Sequence, residues 1–166
     1  MKRAGIFGLL ALAAMAVAGG AHAQGSADVD RALALLNTDP AGARAILEPA
    51  AEAGDADAMY TLAAMLAAGR GGEAAPAAAR EWYSRAAAKG AARATRALGM
   101  MTFTGEGGDA NPAMGVALLQ LAAEAGDENA ELLLSLVRED EYPGDEAVAL
   151  AREEFLNLHP KPDPAR

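Results

Sequence analysis

The 166-residue chain carries 23 acidic against 14 basic residues, a formal charge of -9. It therefore lacks the clustered lysine and arginine that neutralising phosphate requires, and no nucleic-acid partner is expected. It has no cysteine, which excludes a disulfide framework, a thiolate nucleophile, a cysteine-ligated zinc site and a lipid-anchored cysteine.

The chain opens with Lys2 and Arg3, then an apolar run from Ile6 to about Ala18, then the small-x-small triplet Ala21, His22, Ala23 before Gln24. This is the three-part pattern of a cleavable signal peptide over residues 1–23. The run is short and broken by Gly8, Gly19 and Gly20, so it spans a bilayer poorly. Cleavage would remove Lys2 and Arg3 and take the charge from -9 to -11. The expectation is a periplasmic protein with no stable membrane insertion after cleavage; secretion into the medium is the alternative.

Hydrophobic residues make up 52% of the chain, so many of them alanine that the core must form by close approach of small side chains. Beyond the signal segment a 36-residue period governs the sequence. Gly54, Gly90 and Gly126 share it, as do Ala58, Ala94 and Ala130, Leu62, Leu98 and Leu134, and Pro40, Pro76 and Pro112. A period of this length marks a repeat array in which each unit is one supersecondary element.

The punctuation divides each unit into two helices. An incomplete unit comes first, with helix A near Asp28 to Leu36 and helix B near Pro40 to Ala53, where the interior Pro49 should kink the helix. Full copies follow at about 54–89 and 90–125. Asp39 before Pro40 and Asn111 before Pro112 place a side-chain acceptor at the N-cap and proline at the first helical position. Gly54, Gly90 and Gly126 suit the left-handed conformation that ends a helix, and Asp55 and Asp127 then cap helix A.

Helix A repeats an apolar stripe, Ala58, Leu62, Met65 and Leu66, then Ala94, Leu98 and Met101. Helix B presents Ala79, Trp82, Tyr83, Ala86 and Ala87 at the three and four spacing of one buried face. A degenerate last unit has helix A over Asn129 to Val137 and helix B over Asp145 to Leu158, with Phe155 in the register of Tyr83. Residues 159–166 alternate proline with polar residues and read as a flexible tail. The fold class is thus all-α, an α/α solenoid of antiparallel helix pairs covering residues 24–158.

The string Ala51, Glu52, Ala53, Gly54, Asp55, Ala56, Asp57, Ala58 through Leu62, then Gly69, Arg70, Gly71 and Ala79 through Trp82, Tyr83, Ala86 and Ala87, resembles the Sel-1-like repeat, a tetratricopeptide-like unit. Gly105, Glu106, Gly107, Gly108 and Pro112 repeat the inter-helix loop in the next copy. The resemblance covers roughly Pro40 to Leu158; it departs at Leu118 and Leu119, which replace the tryptophan and tyrosine. It implies a right-handed superhelix used as a protein-binding scaffold, with no shared catalytic residue. Some secreted relatives of this kind have been proposed to act on cell-wall precursors or β-lactams. That subgroup is rich in cysteine pairs, which this chain lacks, so an envelope enzyme or ligand-binding protein stands as the alternative function.

Catalytic groups are scarce. His159, the one histidine beyond the signal segment, falls in the tail and is expected to be solvated, and neither Ser84 nor Ser135 has a histidine near it in sequence. The glycine-rich loops Gly69 to Gly72 and Gly105 to Gly108 follow helices and lack the strand and the Lys-Ser/Thr ending of a phosphate loop, so they read as turns. Glu139, Asp140, Glu141, Asp145 and Glu146 lack the regular spacing of a calcium loop and read as a solvated patch. Trp82 and Tyr83 read as core rather than as a sugar-stacking platform. No cofactor or metal is expected.

Helix A lines the concave face in stacked helix pairs, and its residues off the buried stripe face the groove. In register these are Asp57, Tyr60 and Ala64, then Arg93, Arg96 and Met100, then Asn129, Leu132 and Leu136. Tyr60, Arg93, Arg96, Met100 and Leu132 are the candidate partner-binding residues, since tyrosine and arginine carry much interface energy. Arg93 and Arg96, three apart on one helical face, either receive a carboxylate of a partner protein or peptide, or pair with Asp57 or Glu131 nearby.

Overall fold

A computed structural model describes residues 27–137 and 142–160; the expected signal segment and residues 161–166 lie outside the described residues. Among the described residues every regular element is a helix: α1 (27–35), α2 (Pro40–Glu52), α3 (Ala56–Ala67), α4 (Pro76–Ala88), α5 (Ala92–Thr104), α6 (Pro112–Glu124), α7 (Glu128–Leu136) and α8 (Asp145–Leu158). Odd-numbered helices are the A members of each pair and even-numbered ones the B members.

Local chemistry sets the boundaries. Proline occupies the first position of α2, α4 and α6, where its missing N–H deprives the helix of nothing. Asp39 and Asn111 accept hydrogen bonds from the backbone N–H of Gly42 and Met114, and Asp55 and Asp127 do the same for Ala58 and Ala130. Gly54, Gly90 and Gly126, each at positive φ, end the B helices at the expected interval. Helix α2 continues as one helix past Pro49 to Glu52.

The helices stack in a solenoid-like array. From α2 to α7 each helix packs against the next in sequence, and α1 adds Val29 and Ala32 to a core that runs without a break to Leu118. Alanines at 43, 51, 58, 79, 86 and 94 are fully or almost fully buried, so the helices touch through small side chains. Successive units are locked where the A-to-B loop meets the preceding B helix. A Cβ on Gly71 would stand 2.8 Å from the Pro40 carbonyl carbon, and one on Gly107 would stand 2.6 Å from that of Pro76.

The last unit departs from the expected pairing. Helix α8 forms over the predicted residues, but it packs on α6 and not on α7 as the earlier pairs would require. Val148 and Ala151 bury against Val116 and Ala117, and Arg152 holds Glu124 through two hydrogen bonds of 2.6 and 2.7 Å. Phe155 lies in the sequence register of Tyr83 yet is only part-buried, against the core of α1 to α6. Helix α7, without a B partner of its own, buries Ala130 alone.

Candidate interaction surface

Two of the predicted positions, Tyr60 and Arg93, meet on the A-helix face. The Arg93 guanidinium lies 5.1 Å from the centre of the Tyr60 ring and donates a 3.0 Å hydrogen bond to Asp57. Both members of that ion pair are well exposed. Arg96, one turn further along α5, donates through Nε to both carboxylate oxygens of Asp127, at 3.1 and 3.0 Å.

Asp127 is the N-cap of α7 and its side chain is 3% exposed, against 23% for Arg96. One carboxylate thus caps a helix and neutralises an arginine of the preceding unit. Of the two acceptors weighed from the sequence, Asp57 takes Arg93, whereas Arg96 pairs with Asp127 in place of Glu131. The cap signal of Asp127 was legible; the reach of Arg96 to it was not, because the two lie 31 residues apart.

Further along the same face the surface turns apolar. Met100 is half-buried against the cluster of Leu119, Ala122 and Ala130. Leu132 and Leu136 are 60% and 66% exposed at positions in register with Arg96 and Met100. Being four apart on α7, they share one side of the helix. Glu128 and Glu131 stand exposed on the same helix.

Tyr83 is buried beneath this face, its ring 5.6 Å from that of Tyr60. Burial, with a further contribution from Tyr60, pushes its phenol from 10.0 up to about 12. The core assignment holds for Tyr83. Trp82 is only part-buried, and the Arg85 guanidinium sits 4.6 Å from its ring centre.

On the opposite, B-helix side a valley lies between α4 and α6 with α5 as its floor. The C-terminal turn of α8 enters it and leaves a recess on either side, of about 550 and 620 Å³. His159 does not stand in solvent as its proline-rich surroundings suggested. It follows α8 as its C-cap and is part-buried: its ring centre lies 4.6 Å from that of Phe155, tilted by 34°, and its Nδ1 is buried with no hydrogen-bond partner. The solvated reading fails in part, because the helix extends up to this residue and brings its ring against Phe155.

Ser84 and His159, 75 positions apart in sequence, line the same recess together with Asp109. With Nδ1 unbonded, no hydrogen-bonded Ser-His-Asp relay is formed there. Gly69, Gly71, Gly105 and Gly107 all adopt positive φ, as the turn reading of the two loops requires. Glu139, Asp140 and Glu141 lie outside the described residues; among those described, no group of three or more His, Asp or Glu side chains is placed to hold a metal ion.

Comparison with known proteins follows the repeat boundaries. The Sel1 repeat profile matches residues 56–90 and 92–127. The crystal structure of a Sel1 repeat protein from Oxalobacter formigenes is 30% identical, with 73% of this chain and 96% of that one covered and a TM-score of 0.60. A protective antigen of uropathogenic Escherichia coli strains, displaying an SLR fold, is 18% identical with a TM-score of 0.66. That alignment covers 81% of this chain and 30% of the antigen, and the likeness is one of fold. No curated protein matches the chain.

Proposed function

Because the chain belongs to the Sel1 repeat family, we propose that it is a non-catalytic adaptor or regulator in the periplasm, exported by residues 1–23, which binds a segment of a partner protein along its A helices. Sel1 repeats are generally scaffolds that mediate protein interactions. No helix among the described residues is long and apolar enough to cross a membrane.

The observation that carries the reading is the exposure of Leu132 and Leu136 where the array continues the row of Tyr60, Arg93, Arg96 and Met100. Two large aliphatic side chains on one helical side favour an apolar stretch of partner, with the arginine end of the row favouring an acidic one. Since Arg93 is paired to Asp57 only at the surface, a partner carboxylate can exchange with that aspartate at little cost. Arg96 contributes chiefly by fixing α7 to α5.

The test is in-cell cross-linking in the native envelope followed by mass spectrometry, comparing the wild type with Leu132→Glu/Leu136→Glu. Both leucines are largely in solvent, so the variant should fold normally. A dominant cross-linked protein that disappears in the variant is the expected result. Recovery of that protein at an unchanged level would overturn the A-face assignment, and absence of any protein adduct would overturn the adaptor reading itself.

A further inference from the structure

The 36-residue register shows which side of an A helix meets the B helix that follows it. In α5 that side holds Gly99, where a Cβ would lie 3.1 Å from the Gly115 carbonyl oxygen and 3.2 Å from Leu118 and Leu119 of α6. In α3 it holds Tyr60, whose ring meets that of Tyr83 in α4. Met59, Tyr60 and Ala63 of α3, and Thr95, Arg96 and Gly99 of α5, are accordingly buried or part-buried. Their counterparts on α7, Glu131, Leu132 and Ser135, are all exposed. The helix that the repeat assigns to them, α8, packs on α6 instead. The forward side of α7 is thus left open.

We propose that this open side takes a basic helix of a partner protein, seated on α7 as α4 sits on α3 and α6 on α5. The proposal rests on the A-face reading of Leu132 and states what covers that residue. The internal interfaces supply the template: a small residue, then large apolar ones three and four places on. These are Ala79, Trp82 and Tyr83 in α4, and Gly115, Leu118 and Leu119 in α6. The surface of α7 suits the same close approach. Ser135 is small, and its hydroxyl already donates a 2.6 Å hydrogen bond to the Leu132 carbonyl, so covering it strands no donor. Charge then selects the partner. Glu128 and Glu131 stand exposed on this side, where the earlier units carry the uncharged Ala56 and Ala92, Met59 and Thr95. A covering helix has to bring lysine or arginine to these carboxylates, because burying them unpaired is costly. A second copy of this chain fits poorly on the same ground: α7 has no basic residue, and α8 carries Asp145, Glu146, Glu153 and Glu154 against Arg152 alone.

The absence of cysteine allows the open side to be probed on the full-length protein. Ser135→Cys, at an exposed position, is equilibrated under graded reductant with a synthetic peptide of the α4 segment, Pro76–Ala88, carrying Ala79→Cys. This peptide has the required apolar pair and a net positive charge, Arg80 and Arg85 outweighing Glu81. Docking predicts that releasing half of it takes at least about ten-fold more reductant than releasing a scrambled peptide with its cysteine in place. It also predicts that Arg80→Glu/Arg85→Glu in the peptide removes this advantage, and that Glu131→Arg in the protein restores it. Equal retention of the unscrambled and scrambled peptides would overturn the helix site, even where the envelope cross-link survives. Equal retention of the charge-reversed peptide would overturn the basic partner. A preference that holds while the envelope cross-linking finds no protein would uphold the helix site and remove only the adaptor reading.

Discussion

Gly115 of α6 lies against the backbone of Phe103 in α5, so closely that a Cβ on the glycine would stand 2.6 Å from the phenylalanine Cβ and 2.8 Å from its N and Cα. In the preceding unit the same two positions hold Ala67 and Ala79. The side-chain bulk has moved from one helix to the other. Gly115→Ala is therefore expected to destabilise the protein by about 1–3 kcal/mol, the range for overpacking a tight core. Urea unfolding checks the mechanism: Phe103→Ala keeps the N, Cα and Cβ that the added methyl would meet, so it should not relieve the cost, and the two effects should add in a double-mutant cycle.

Two helix caps that look alike in sequence should differ in worth. Asp55→Ala removes a cap and should cost about 1 kcal/mol. Asp127→Ala removes a cap and also strands Arg96 in a half-covered position, so a larger loss, about 2–4 kcal/mol, is expected. Arg93→Ala, acting at an exposed ion pair, should stay within roughly 0.5 kcal/mol of the wild type. Equal urea midpoints for the Asp55 and Asp127 variants would refute the double role of Asp127.

Pro49 interrupts the hydrogen-bond ladder of α2 three residues before its end and is exposed. Pro49→Ala restores an N–H donor within the helix without disturbing the core. Its thermal midpoint should rise, with a gain of about 1–3 kcal/mol by the usual penalty for an interior proline. A lowered midpoint would show that the proline shapes the packing of the first unit.

The buried phenol of Tyr83 makes stability depend on pH at the alkaline end. Its folded-state value is raised to about 12 from 10.0, so its neutral form is the one that the fold favours. Its contribution is complete below pH 10 and is lost as the pH rises through 12. Tyr83→Phe cannot ionise and should show a shallower fall in urea midpoint over that window. Parallel alkaline profiles for the two proteins would contradict the burial account.

The extent to which the sequence foretold these features follows from the range over which each is determined. Proline at the start of α2, α4 and α6, glycine past their ends and the Asx caps act within a few residues, so their positions were readable and the structure agrees. The amphipathic stripes told which side of each helix is apolar, and the buried residues match except at Trp82, which is part-buried. Amphipathicity does not say which neighbour covers that side. The pairing of α8 with α6, the cover over His159 and the choice of Asp127 by Arg96 all depend on contacts between distant segments, and each escaped the sequence reading.

The bond between Arg96 and Asp127 also ties two equilibria into one. Any anion that captures Arg96 withdraws a cation from the carboxylate that starts α7, and the first turn of that helix becomes easier to fray. Reciprocity then requires that whatever steadies α7, such as a ligand seated on Leu132 and Leu136, makes Arg96 harder to capture. An acidic ligand that took Arg96 would thereby oppose an apolar one on α7 across a single hydrogen-bonded joint, whereas one that replaced Asp57 at Arg93 would leave that joint intact.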